Sequence, residues 1–91
     1  MPESVFSAEY NVFSELLRDL RVQKGVTQAQ LSAGLGMAQS FVSKYEMGER
    51  RLDFIEVGRI CAELGIGLED FAKTYANALA TTEGGKRAKR K

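Results

Sequence analysis

Residues 27–48 read TQAQLSAGLGMAQSFVSKYEMG, and this stretch decides the fold. Thr27 followed three positions later by Gln30 has the spacing of a capping box. The hydroxyl accepts from the third helical N–H, and the glutamine side chain answers the N–H of Thr27. A helix is therefore predicted from Gln28 to Leu35, where Gly36 stops it, because the residue just past a helix end usually takes a positive φ. After Gly36, Met37 and Ala38 a second short helix is predicted over about Gln39–Met47, ending at Gly48. The link is too brief for an antiparallel hairpin with long arms and suits two short helices meeting at a sharp angle. Leu31, Leu35, Val42 and Tyr45 supply the apolar positions that hold this pair on its neighbours. With Val42 and Tyr45 inward, Gln39, Ser40, Phe41, Ser43 and Lys44 are expected on the opposite face.

Working outward, Ser7 is read as the N-cap of a first helix running to about Lys24. Its stripe is Phe13, Leu16, Leu17 and Leu20, and Gly25 ends it. Asp53 and Glu56 form a second capping box, opening a helix whose apolar face is Val57, Ile60, Cys61 and Leu64 before Gly65. A fifth helix is predicted from Leu68 to Ala80, with Leu68, Phe71, Ala72, Tyr75 and Leu79 on one stripe. No strand is predicted. The chain thus divides into an arm over residues 1–9, an all-α domain over 10–80, and a basic, disordered tail over 81–91.

A chain of 91 residues buries one modest core. No apolar run approaches the roughly 18 residues of a membrane span, and MPESVFSAEY does not read as a signal peptide. A lone cysteine excludes a disulfide framework and sets the expectation of a reducing cytoplasm; Cys61 falls on an apolar stripe and reads as a small core residue. The chain has no histidine, which removes the commonest general base, and one cysteine cannot build the usual zinc sites. Composition therefore argues against an enzyme and against a metal.

The net charge of +1 conceals segregation. Residues 1–17 carry three acids and no base, residues 18–51 six bases against three acids, and residues 52–83 six acids against two bases. Five more bases, Lys86, Arg87, Lys89, Arg90 and Lys91, crowd the end. Basic charge in the middle of the fold and on the tail fits a polyanion-binding face. The tail reads either as an arm that adds sequence-independent affinity or as a solubilising segment.

Five separated anchors agree in spacing: LLRDLRVQKG (16–25), TQAQL (27–31), GMA (36–38), VSKYEMG (42–48) and ICAELGIGLEDF (60–71). Together they resemble the phage repressor and Cro-like family of helix-turn-helix regulators, the Xre family, over about residues 10–76. The resemblance implies a five-helix, lambda-repressor-like domain whose second and third helices form the helix-turn-helix. It implies a double-stranded DNA operator as partner, a homodimer, no cofactor and no small-molecule ligand.

Residue roles follow from that resemblance and from base chemistry. Gln39, near the start of the recognition helix, has an amide suited to donate to and accept from adenine. Gln28 stands where the resembling repressors use a glutamine to bond a phosphate and brace the reading glutamine. Ser40 and Lys44 are further base-reading candidates, and Lys44 is equally suited to a phosphate. Phe41 either packs on a thymine methyl or folds back onto Met37 or Met47. Thr27, Ser43, Arg50 and Arg51 are expected at the DNA backbone. Arg21 and Glu46 occupy positions that pair the first helix with the recognition helix in this family. Ala38 stands where a hydroxyl N-cap is common, which predicts a recognition-helix start softer by about 1 kcal/mol.

Leu68, Phe71, Tyr75 and Leu79 form a stripe richer than packing on one small core requires, so the dimer interface is expected there. The function expected is a transcriptional repressor on a palindromic operator with half-sites about 10 base pairs apart. Alternatives of the same fold are a restriction–modification controller protein and an antitoxin that holds a toxin and regulates itself.

Overall fold

The computed structural model describes residues 8–82 and contains five helices: α1 (Ala8–Gln23), α2 (Gln28–Gly34), α3 (Ser40–Glu46), α4 (Phe54–Leu64) and α5 (Leu68–Thr82). Among the described residues there is no strand, and no helix is long and apolar enough to cross a membrane. The expected cap at Ser7 and the basic tail lie outside the described residues. The fifth helix continues two residues past its expected end at Ala80.

Both capping boxes close as their spacing requires. Thr27 Oγ1 accepts from Gln30 N–H at 3.0 Å, and Gln30 Oε1 accepts from Thr27 N–H at 2.9 Å. At α4, Asp53 Oδ1 accepts from Glu56 N–H at 2.8 Å and Glu56 Oε1 from Asp53 N–H at 2.9 Å. Gly36 has φ +71°, which lets the chain leave α2 and re-enter α3 within a few residues.

The core joins all five helices through Leu17, Leu31, Val42, Tyr45, Ile60, Cys61, Leu64 and Phe71. Burial pushes the Cys61 thiol above its ordinary range, in keeping with a packing role. Tyr45 is 1% exposed, and its hydroxyl has no hydrogen-bond partner among the described residues. An unbonded buried hydroxyl costs about 1–3 kcal/mol. Tyr45→Phe is therefore expected to raise stability by about 1 kcal/mol, shifting the thermal midpoint up by roughly 4–8 °C. Calorimetry checks this, and a fall in the midpoint would show that the hydroxyl is bonded.

The apolar stripe of α5 packs in part on the monomer's own core: Phe71 is buried, while Leu68, Tyr75 and Leu79 stay half-buried. Phe71 is buried and meets the Phe13 ring edge-on at 6.0 Å. Tyr75 packs on the other side of Phe13, also at 6.0 Å, and its hydroxyl donates to the Glu9 carbonyl at 3.0 Å. Leu68 packs against the core, and Leu79 is half-buried. The aromatic first half of α1 requires a cover, and a helical stripe read alone does not say which surface it covers.

Candidate nucleic-acid interface

The recognition helix is positioned from outside itself. Gln39 holds the N-cap position in helical conformation, and its side chain caps nothing. The absent local cap is supplied by Ser32 of α2, which is completely buried. Its hydroxyl accepts from Val42 N–H at 3.3 Å and donates to the Gln39 carbonyl at 3.2 Å. Val42 is the third helical residue, whose N–H a local N-cap would ordinarily satisfy. The softness expected from Ala38 is thus offset by a hydroxyl from the preceding helix.

The other end of α3 is held by Glu46. Arg21 Nε donates to Glu46 Oε2 at 2.7 Å and Nη2 to Oε1 at 3.0 Å, while Nη1 donates to the Val26 carbonyl at 2.8 Å. The side chains are 10% and 2% exposed. Donation to the Glu46 carboxylate holds the Arg21 guanidinium above its already high range. Gln28 Nε2 donates to the same Glu46 Oε1 at 2.9 Å. One carboxylate therefore ties α1, α2 and α3 together and holds the Gln28 side chain in place.

Thr27, Gln28, Gln39, Ser40 and Ser43 line one open concavity between α2 and α3, of about 690 Å³, with Arg21 at its base. Five of the residues singled out from sequence thus meet on a single surface. Gln39, Ser40 and Lys44 are exposed, Gln28 and Ser43 half-buried. The Thr27 oxygen accepts the helix-cap bond, which leaves its proton free to donate. Amides and hydroxyls facing one open surface can donate to phosphate oxygens and exchange bonds with base edges.

Phe41 and Arg50 make their contacts within the fold. Phe41 is 6% exposed, packs edge-on against Tyr45 at 5.4 Å, and faces a small apolar cleft with Leu35, Met37 and Ile60. It belongs to the core, beside Met37, the inward of its two expected placements. Arg50 places Nη1 and Nη2 on the two oxygens of Glu56, at 3.1 and 2.9 Å, and its guanidinium carbon lies 4.9 Å over the Phe41 ring. That hydrogen-bonded pair holds Arg50 above and Glu56 below their ordinary ranges. Arg50 fastens the loop to α4, with its side chain 40% exposed.

Arg51 is exposed and stacks over the Tyr10 ring, with its guanidinium carbon 4.4 Å from the centroid. Tyr10 also accepts Leu52 N–H on its hydroxyl at 3.2 Å. The loop before α4 thus rests on the start of α1. The sequence reading missed Tyr10 and Ser32: both act across the fold, and neither lies in a local motif.

Comparison with known proteins agrees with this fold. A profile of the helix-turn-helix family matches residues 17–71. No curated protein matches the chain. Among solved structures, an XRE-family like protein from Pseudomonas syringae pv. tomato str. DC3000 is similar, with 37% sequence identity and a TM-score of 0.75. The match covers 82% of this chain and 92% of that one.

Proposed function

The chain belongs to the XRE family of helix-turn-helix DNA-binding transcriptional regulators, and on that premise we propose that it is a repressor occupying a palindromic operator as a homodimer. The observation that carries the sequence-specific part is the shared α2–α3 concavity. It gathers Gln39, Ser40 and Ser43 with Gln28 and Thr27 on one exposed surface. In this reading α3 enters the major groove. Gln39 reads adenine through its amide, and Ser40 and Lys44 face neighbouring bases or phosphates. Thr27, Gln28, Ser43 and Arg51 hold the backbone, which fixes register without carrying sequence information. Glu46 supports the reading because it fixes Gln28 beside the concavity.

The test begins with selection of the operator from random duplexes. Gln39→Ala is then expected to lose about 1–3 kcal/mol on the operator, to relax preference at one base pair of each half-site, and to leave non-specific binding almost unchanged. Arg51→Ala is expected to weaken operator, single-base variants and random duplex by a similar factor. Titrations of both variants against all three duplex classes decide the matter. Equal loss on every duplex for Gln39→Ala would make Gln39 a backbone contact and displace the recognition register.

A further inference from the structure

We infer that Ser32 is a positioning residue for base reading: its buried hydroxyl sets where the start of α3 presents Gln39 and Ser40 to the bases. The inference rests on the recognition surface proposed above and adds to it a residue that does not itself touch DNA. Ser32 is completely buried, and its single oxygen spends its proton on the Gln39 carbonyl and accepts from Val42 N–H. Its own carbonyl accepts from Leu35 N–H at 3.2 Å and from Met37 N–H at 2.9 Å, which closes the end of α2 and the turn. One residue thus anchors both ends of the link between the two helices.

Apolar packing alone does not fix this setting. Leu31 and Val42 are completely buried, but contact between apolar side chains is non-directional and leaves a short helix able to tilt. With seven residues, α3 depends on tertiary support for its course. Two hydrogen bonds meeting on one oxygen define a single position along and about its axis. The far end of α3 is pinned separately, through Glu46 to Arg21. Once the Ser32 hydroxyl is removed, Glu46 is the pivot and the start of α3 is the end that moves. Gln39 and Ser40 lie farthest from that pivot, and a polar contact of defined geometry tolerates a displacement of only about 0.5 Å. The carbonyl that Ser32 holds belongs to Gln39 itself, so the reading side chain springs from a tethered residue.

Titration of the full chain against the selected operator, its single-base variants and random duplex tests the assignment, well below the melting midpoint of every variant. Ser32→Ala removes one oxygen and leaves a strong helix former in α2. It should reduce discrimination roughly 5-fold or more at the base pair that Gln39→Ala relaxes, the lower end of what one bidentate contact supplies. Affinity for random duplex should stay within about 2-fold. Ser32→Cys keeps the bulk with only a weak donor and acceptor, so it should relax the same base pair and serves if the alanine variant does not fold. Adding Ala38→Ser to Ser32→Ala gives α3 a hydroxyl cap of its own, yet the lost discrimination should not return. Discrimination unchanged by both Ser32 variants, or restored by Ala38→Ser, would overturn the positioning role and leave Gln39 as the reader. An equal loss on every duplex for Ser32→Ala would do the same, since the hydroxyl would then serve stability alone. A Gln39→Ala variant that weakens every duplex alike would overturn both readings.

Discussion

Glu46→Ala is expected to remove about 3–5 kcal/mol of folding stability, the cost of stripping one partner from a buried ion pair. A domain of this size has a total of only about 5–10 kcal/mol to lose, so the variant should melt far below the wild type. The reason is asymmetric. Arg21 stays buried with a full charge, and of its bonds only the one to the Val26 carbonyl survives. Gln28 loses its anchor in the same step. Replacing both members, Arg21→Met with Glu46→Leu, should recover most of the loss, because two well-packed apolar side chains need no compensation for desolvation. Urea unfolding of the single and double variants measures this. A loss below about 1 kcal/mol for Glu46→Ala would mean that the pair behaves like a solvated surface bridge.

Phe41→Ala should destabilise the fold by about 3–5 kcal/mol, the range for deleting a buried aromatic ring. The ring fills space against Tyr45 and Leu35 and carries the Arg50 guanidinium on one face. Phe41→Leu separates packing from reading, since leucine keeps much of the apolar volume. That variant should lower the unfolding midpoint while preserving the rank order of affinities over single-base operator variants. A shift of preference confined to one A·T pair would restore Phe41 to the bases, because only contact with a thymine methyl would produce it.

Local rules made much of the architecture legible. Two capping boxes and the glycine stops depend on neighbours a few residues apart, and both boxes close with the predicted bonds. The core stripes of α1 and α4 were legible for the same reason. The position of Phe41 was also encoded, since it stands four residues before Tyr45 and so shares the inward face of α3. Taking the whole side opposite Val42 and Tyr45 as open overlooked that spacing. Arg50 was beyond such rules, because its partner Glu56 lies across a loop and faces it only once α4 is placed. The α5 stripe was visible, yet its partner was not: periodicity marks a face for burial without naming what buries it. Ser32 was hidden in the same way, since only the crossing of α2 and α3 turns its hydroxyl towards the start of the next helix.

The Ser32 contacts separate two properties that a short helix often combines. They grip the backbone of α3, through Val42 N–H and the Gln39 carbonyl, and do not depend on the side chains at positions 39, 40, 43 and 44. Where an N-cap side chain starts a helix, changing that residue alters both what is read and whether the helix forms. Here the reading letters are interchangeable type set in a fixed frame. A library varied at those four positions should remain folded throughout, so that new operator preferences are reached by single substitutions without first repairing the scaffold.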